Sequence, residues 1–136
     1  MRRSASRGLV HVDDVDVLSP DRGAFSANVY LQNSAAGGEL EVWPVALSTR
    51  DALLANAPAI ALLTTMSGDP AAQRALRDEV LPGPPVVVSP APGDLVLLCV
   101  QRPHAVRGPL HGPRLRLSLQ AFVQHHGHGA PLTMEA

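Results

Sequence analysis

A mainly β chain, folded as two packed sheets in the manner of a jelly roll or cupin barrel and carrying one helical insertion, is predicted by three observations. Short runs with apolar residues at every second position recur along the chain, Pro and Gly punctuate their ends, and the β-α-β spacing of a parallel sheet is absent.

The runs can be justified in order. "GLVHVDDVDV" (8–17) alternates strictly. "SANVYLQ" (26–32) is β-branched and aromatic with period 2, and "ELEVWPV" (39–45) alternates acids with apolar residues until Pro44 ends it. "GGEL" before it reads as a tight turn, with Gly37 or Gly38 supplying a positive φ. "PPVVVSP" (84–90) and "GDLVLLCV" (93–100) are bounded by Pro and Gly, with Asp94 shaping the turn between them, and "PRLRLSLQAFV" (113–123) alternates again. With "PHAV" (103–106) about seven strands can be counted, one short of a complete eight-stranded jelly roll.

The stretch from about 50 to 80 interrupts this pattern with Ala and Leu. Within it "DPAAQRALRDEVL" (69–81) predicts a helix with Asp69 as N-cap and Pro70 at its first position. One domain over 1–124 is expected, followed by a mobile His-rich tail, 125–136, that shows no periodicity.

Composition excludes several function classes. Of 136 residues, 46% are hydrophobic and 17% charged, which is globular and not disordered. A net charge of −1 provides no basic stripe for nucleic acid or an anionic membrane, so a small molecule or soluble partner is the expectation. The start "MRRSASRGLVHVDD" lacks the apolar core of a signal peptide, and no run reaches the length of a membrane span. A single cysteine, Cys99, forms no internal disulfide and reads as an inert core residue; a reducing cytoplasm is the expected location.

The residues with chemistry are few. On a strand, i and i+2 project from one face about 7 Å apart, so His11 and Asp13 can reach one ion. A third ligand must come from a neighbouring strand, and His104 in "RPHAV" is available. Two histidines and a carboxylate are the set that holds non-haem Fe(II) with positions left open for chemistry. Taken alone, H-x-D is equally the wet side of an edge strand.

The order of motifs resembles the 2-oxoglutarate and Fe(II)-dependent oxygenases, whose core is a double-stranded β-helix. "HVD" at 11–13, "NVYL" at 28–31, "GGELEVWP" at 37–44, "PGDLVLL" at 92–98, "PHAV" at 103–106 and "RLSLQAF" at 116–122 carry the resemblance up to about Val123, the insertion apart. It implies iron ligands at His11, Asp13 and His104, which also serve as the catalytic centre, with O₂ and 2-oxoglutarate as cosubstrates. It further implies a strand-borne Arg after the distal His that binds the far carboxylate of 2-oxoglutarate.

Two arginines compete for that role, since a guanidinium fork fits a carboxylate from either position. Spacing favours Arg114, ten residues beyond His104; local sequence favours Arg116, whose "R-x-S" adds Ser118 on the same strand face. Asn28 and Tyr30 share a face beside the proposed ligands and are further candidates to touch the cosubstrate, although Tyr30 is as readily a core residue with a satisfied hydroxyl. Trp43 reads as a plug at the end of the barrel more readily than as a substrate contact, and His125, His126 and His128 as an incidental group without a scaffold.

The function implied is hydroxylation of a small molecule or amino-acid-like substrate, with release of succinate and CO₂. A non-catalytic cupin-like binding domain or truncated relative is the alternative, because the first proposed ligand lies so near the start. A halogenase on the same scaffold is a further one. That branch replaces the ligand carboxylate with Gly or Ala, and Asp13 argues against it. Substrate identity and oligomeric state are not legible in the residues.

Overall fold

The computed structural model describes residues 8–13, 23–34, 36–45, 69–81, 83–108 and 115–135. Its strands are β1 (Gly23–Gln32), β2 (Leu40–Val42), β3 (Val86–Val88), β4 (Leu95–Cys99), β5 (His104–Val106), β6 (Leu117–His125) and β7 (Thr133–Glu135). All pairings are antiparallel. One sheet runs β4-β1-β6-β7 and the other β3-β2-β5.

Segment 8–13 extends the smaller sheet beyond β5. His11 and His104 exchange both backbone hydrogen bonds (3.0 and 2.9 Å), Gly8 N donates to Val106 O at 2.8 Å, and Asp13 N donates to Val100 O at 2.9 Å. Glycine is required at the start of this contact: a Cβ on Gly8 would lie 2.3 Å from the Val106 carbonyl oxygen, a backbone atom that cannot step aside. The chain therefore visits the smaller sheet, then the larger at β1, the smaller at β2 and β3, the larger at β4, the smaller at β5 and the larger at β6.

The predicted turns form as their residues require. Gly37 and Gly38 both have positive φ, 75° and 96°. Asp94 closes its turn by accepting a 2.7 Å hydrogen bond from Ala91 N on Oδ2.

The predicted helix is present as α1 (Pro70–Ala75), continuing into a π-helical turn, Leu76–Val80. Asp69 caps it: Oδ1 accepts from Ala71 N at 2.9 Å, and the backbone carbonyl accepts from Gln73 N at 3.0 Å. The helix covers the face of the smaller sheet carried by Val10, Trp43 and Ala105, where these residues and Leu81 form a buried cluster flanked by Val12, Val45 and Val80.

Its most consequential contact is polar. Among the described residues segment 8–13 is the outermost strand of its sheet and has no strand neighbour on the side where buried Val10 presents its N–H and C=O. Gln73 takes the place of that neighbour, accepting from Val10 N at 2.7 Å on Oε1 and donating from Nε2 to Val10 O at 3.3 Å. Gln73→Ala leaves a donor and an acceptor buried, at a cost of about 2–3 kcal/mol. The expected result is a lowered thermal midpoint, with amide exchange at Val10 and His11 accelerating ahead of exchange in β1 and β6; uniform acceleration would show that segment 8–13 has no special dependence on the helix.

One expectation is corrected. Cys99 is exposed and not a core residue, because β4 is an edge strand and residues 95, 97 and 99 point to an uncovered face. Within the 125–136 segment, residues 133–135 form β7, whose Met134 lies opposite Val123, since the edge of β6 offers backbone groups that a short strand satisfies. Residues 46–68 of the insertion, and Arg114, lie outside the described residues. No helix among the described residues is long and apolar enough to cross a membrane.

Candidate metal centre

The site is assembled by sheet geometry from two short pieces of sequence. His11 and His104 are directly opposed in a hydrogen-bonded antiparallel pair, so their side chains leave the sheet on the same face. Their ring centroids are 4.3 Å apart, with the planes inclined by 52°. Asp13, two residues beyond His11, lies on that face as well. Its Oδ1 is 3.6 Å from His11 Nε2 and 3.7 Å from His104 Nε2. One ligand atom from each of the three residues falls within 4.8 Å of the others. An ion bonded at about 2.0–2.2 Å to each ligand spans roughly 3–4 Å between them, so the group is close to the dimensions a single first-row metal needs.

Hydrogen bonding prepares the nitrogens. His11 Nδ1 is 3.0 Å from Leu9 O and His104 Nδ1 is 2.9 Å from Arg102 O. A carbonyl can only accept, so each Nδ1 carries a proton, and Nε2 is the nitrogen on the Asp13 side that the neutral ring would offer to a metal. Burial, the largest cause, lowers the pKa of His104 below 6.5; the bond to Arg102 O and the Asp13 carboxylate oppose it, and nearby His11 adds to it. The net shift favours the neutral form of His104, the form that ligates metal. Asp13 Oδ2 is buried and, among the described residues, has no hydrogen-bond partner, so it is an acceptor with unused capacity.

The other predicted residues divide. In the larger sheet Asn28 faces Gln120 and Tyr30 faces Ser118, so these side chains share a face, and Arg116 precedes β6 with the parity of Ser118. Tyr30 is almost fully buried, its hydroxyl accepting from Arg116 Nη2 at 3.2 Å, and the guanidinium stands 5.0 Å from the ring centroid. Arg116 Nε is buried without a partner. Asn28 Nδ2 donates to Ser26 Oγ at 3.2 Å. Trp43 follows Val42, the residue opposite His104, and so points to the other face, into the helix-covered core. Of the tail histidines, His126 Nε2 is 2.9 Å from Thr133 Oγ1; among the described residues only His11, Asp13 and His104 are grouped for a metal.

A cavity of about 400 Å³ lies on that other face, lined in part by Glu41, Trp43, Arg77, Leu81 and Arg107. Within it Glu41 pairs with Arg77 at 2.5 Å and with Arg107 at 3.3 Å. Arg77 also donates to Gly8 O at 2.8 Å, so this pair braces segment 8–13 from behind. Sequence reading missed both Gln73 and Glu41–Arg77 as supports of the site, because nothing in a local motif marks a partner 63 or 36 residues away. Compared with protein-family models, curated proteins and solved structures, the chain finds no match.

Proposed function

We propose that this chain is an Fe(II)- and 2-oxoglutarate-dependent oxygenase that hydroxylates a small molecule or amino-acid-like substrate, releasing succinate and CO₂. The observation that carries the reading is the convergence of His11, Asp13 and His104 from distant parts of the chain, with both Nε2 atoms turned to one carboxylate oxygen. The alternation of the chain between two antiparallel sheets supports a double-stranded β-helix for the fold, with β7 beside β6 as an eighth strand in addition to segment 8–13 and β1 to β6.

In this reading His11, Asp13 and His104 hold Fe(II), which when bound supplies O₂ activation coupled to decarboxylation of the cosubstrate. Arg116 receives the distal carboxylate of 2-oxoglutarate. Its buried, unpartnered Nε is a donor ready for an anion, and the Tyr30 hydroxyl holds the guanidinium in place. Asp13 fills the position a halide would need, which favours hydroxylation over halogenation. A small-molecule substrate and a cytoplasmic location complete the proposal.

Anaerobic titration with Fe(II) and then 2-oxoglutarate tests it. A weak visible charge-transfer band is expected for wild type, and Arg116→Ala should weaken cosubstrate binding by about 2–5 kcal/mol if the lost pair is buried. Asp13→Gly should abolish succinate formation. An iron-loaded, folded chain that gives no band and never consumes 2-oxoglutarate would return the protein to the class of binding domains.

A further inference from the structure

The larger sheet is inverted relative to a sheet that ends at solvent. Ser26 and Tyr30 are buried, whereas the opposite face of the same strands is apolar and, among the described residues, exposed at Leu95, Leu97, Leu119 and Met134, with Val123 buried within it. Register places Leu95, Val29 and Leu119 in one row across that face and Leu97, Ala27 and Ala121 in the next. A third row passes through Phe25 and ends at Met134. Leu95, Leu97 and Leu119 are 58%, 59% and 61% exposed. None of these rows contains a charged side chain.

An antiparallel sheet with one dry and one wet face puts its apolar side chains on the dry face. We propose that a second copy of this chain covers the face, forming a two-fold dimer in which the two larger sheets pack outer face to outer face. Near a two-fold axis every residue meets itself or a close neighbour, so a charge would meet its like; a face without charges is self-compatible. At about 4.8 Å between strands and 3.4 Å per residue the three rows cover roughly 330 Å², and the leucines raise the accessible area above that footprint. This lies within the range of the largest apolar patches on monomers and below the about 800 Å² per partner of a standard interface, the size expected of a weak, concentration-dependent dimer. A net charge of −1 provides no attraction to anionic lipid, which places a membrane surface behind a second copy.

Sedimentation velocity from about 1 μM to about 100 μM should show a monomer–dimer equilibrium. Leu119→Glu and Leu97→Glu, both at exposed positions, should keep the wild-type circular dichroism and raise the dimer dissociation constant about 30-fold or more. Mixing Leu119→Glu with Leu119→Lys chains should restore dimer, because only two copies of one face bring the opposite charges together. The proposal is overturned by a wild-type chain that stays monomeric throughout, by dimers indifferent to both substitutions, or by a monomer that binds phosphatidylcholine vesicles through Leu119. The experiment needs no metal or cosubstrate, so its outcome is separate from that of the oxygenase reading.

Discussion

Replacing His104 with alanine is expected to remove Fe(II) binding from a chain that remains folded. In the proposed centre His104 supplies one of three ligand atoms, and its Nε2 lies 3.7 Å from Asp13 Oδ1. Disturbing a group that merely orients a ligand typically costs 10–100-fold in metal affinity, so losing the ligand itself should exceed about 100-fold. His126→Ala should leave affinity unchanged, since His126 is engaged with Thr133. Metal content after anaerobic dialysis distinguishes the two; retention by His104→Ala with loss in His126→Ala would place the site in the C-terminal segment.

The same residue links metal-free stability to pH. Burial lowers its folded pKa below 6.5, so on acidification the unfolded chain takes up the proton first. The stabilising contribution is fully present above about pH 6.5 and is lost as pH falls through the lowered folded value. In metal-free protein, His104→Gln keeps much of the volume and removes the titration, so its thermal midpoint should fall less steeply than wild type below pH 6.5. An identical decline in the two would remove His104 as the source.

The largest effect on folding is expected from Glu41→Ala. Glu41 is 2% exposed and is paired with Arg77, itself mostly buried, and with Arg107. Deleting one partner of a buried pair leaves an uncompensated charge and typically costs about 3–5 kcal/mol, or about 10–15 °C in thermal midpoint for a domain of this size. Arg107→Ala should cost under about 1 kcal/mol, because its side chain is 42% exposed and water screens the interaction. Denaturant unfolding of both variants measures the contrast. Since Arg77 also holds Gly8 O, Glu41→Ala should weaken metal binding without touching a ligand; unchanged affinity in the folded fraction would separate the brace from the site.

What the sequence determined by itself was whatever depends on neighbours along the chain. Period-2 alternation in 26–32 and 117–123 specified strands, because consecutive side chains in extended backbone must alternate faces. Asp69-Pro70 specified the start of a helix by satisfying its free amides. His11 and Asp13 were legible as a pair for the same local reason. His104 was named as the third member through the resemblance in motif order, but its placement beside the pair rests on an antiparallel register linking residues 93 positions apart, which no short-range pattern encodes. Only tertiary structure decided that Cys99 faces outward and that residues 133–135 pair with β6, since alternation marks two faces without saying which one will be covered, and an open strand edge accepts whatever segment the fold brings beside it.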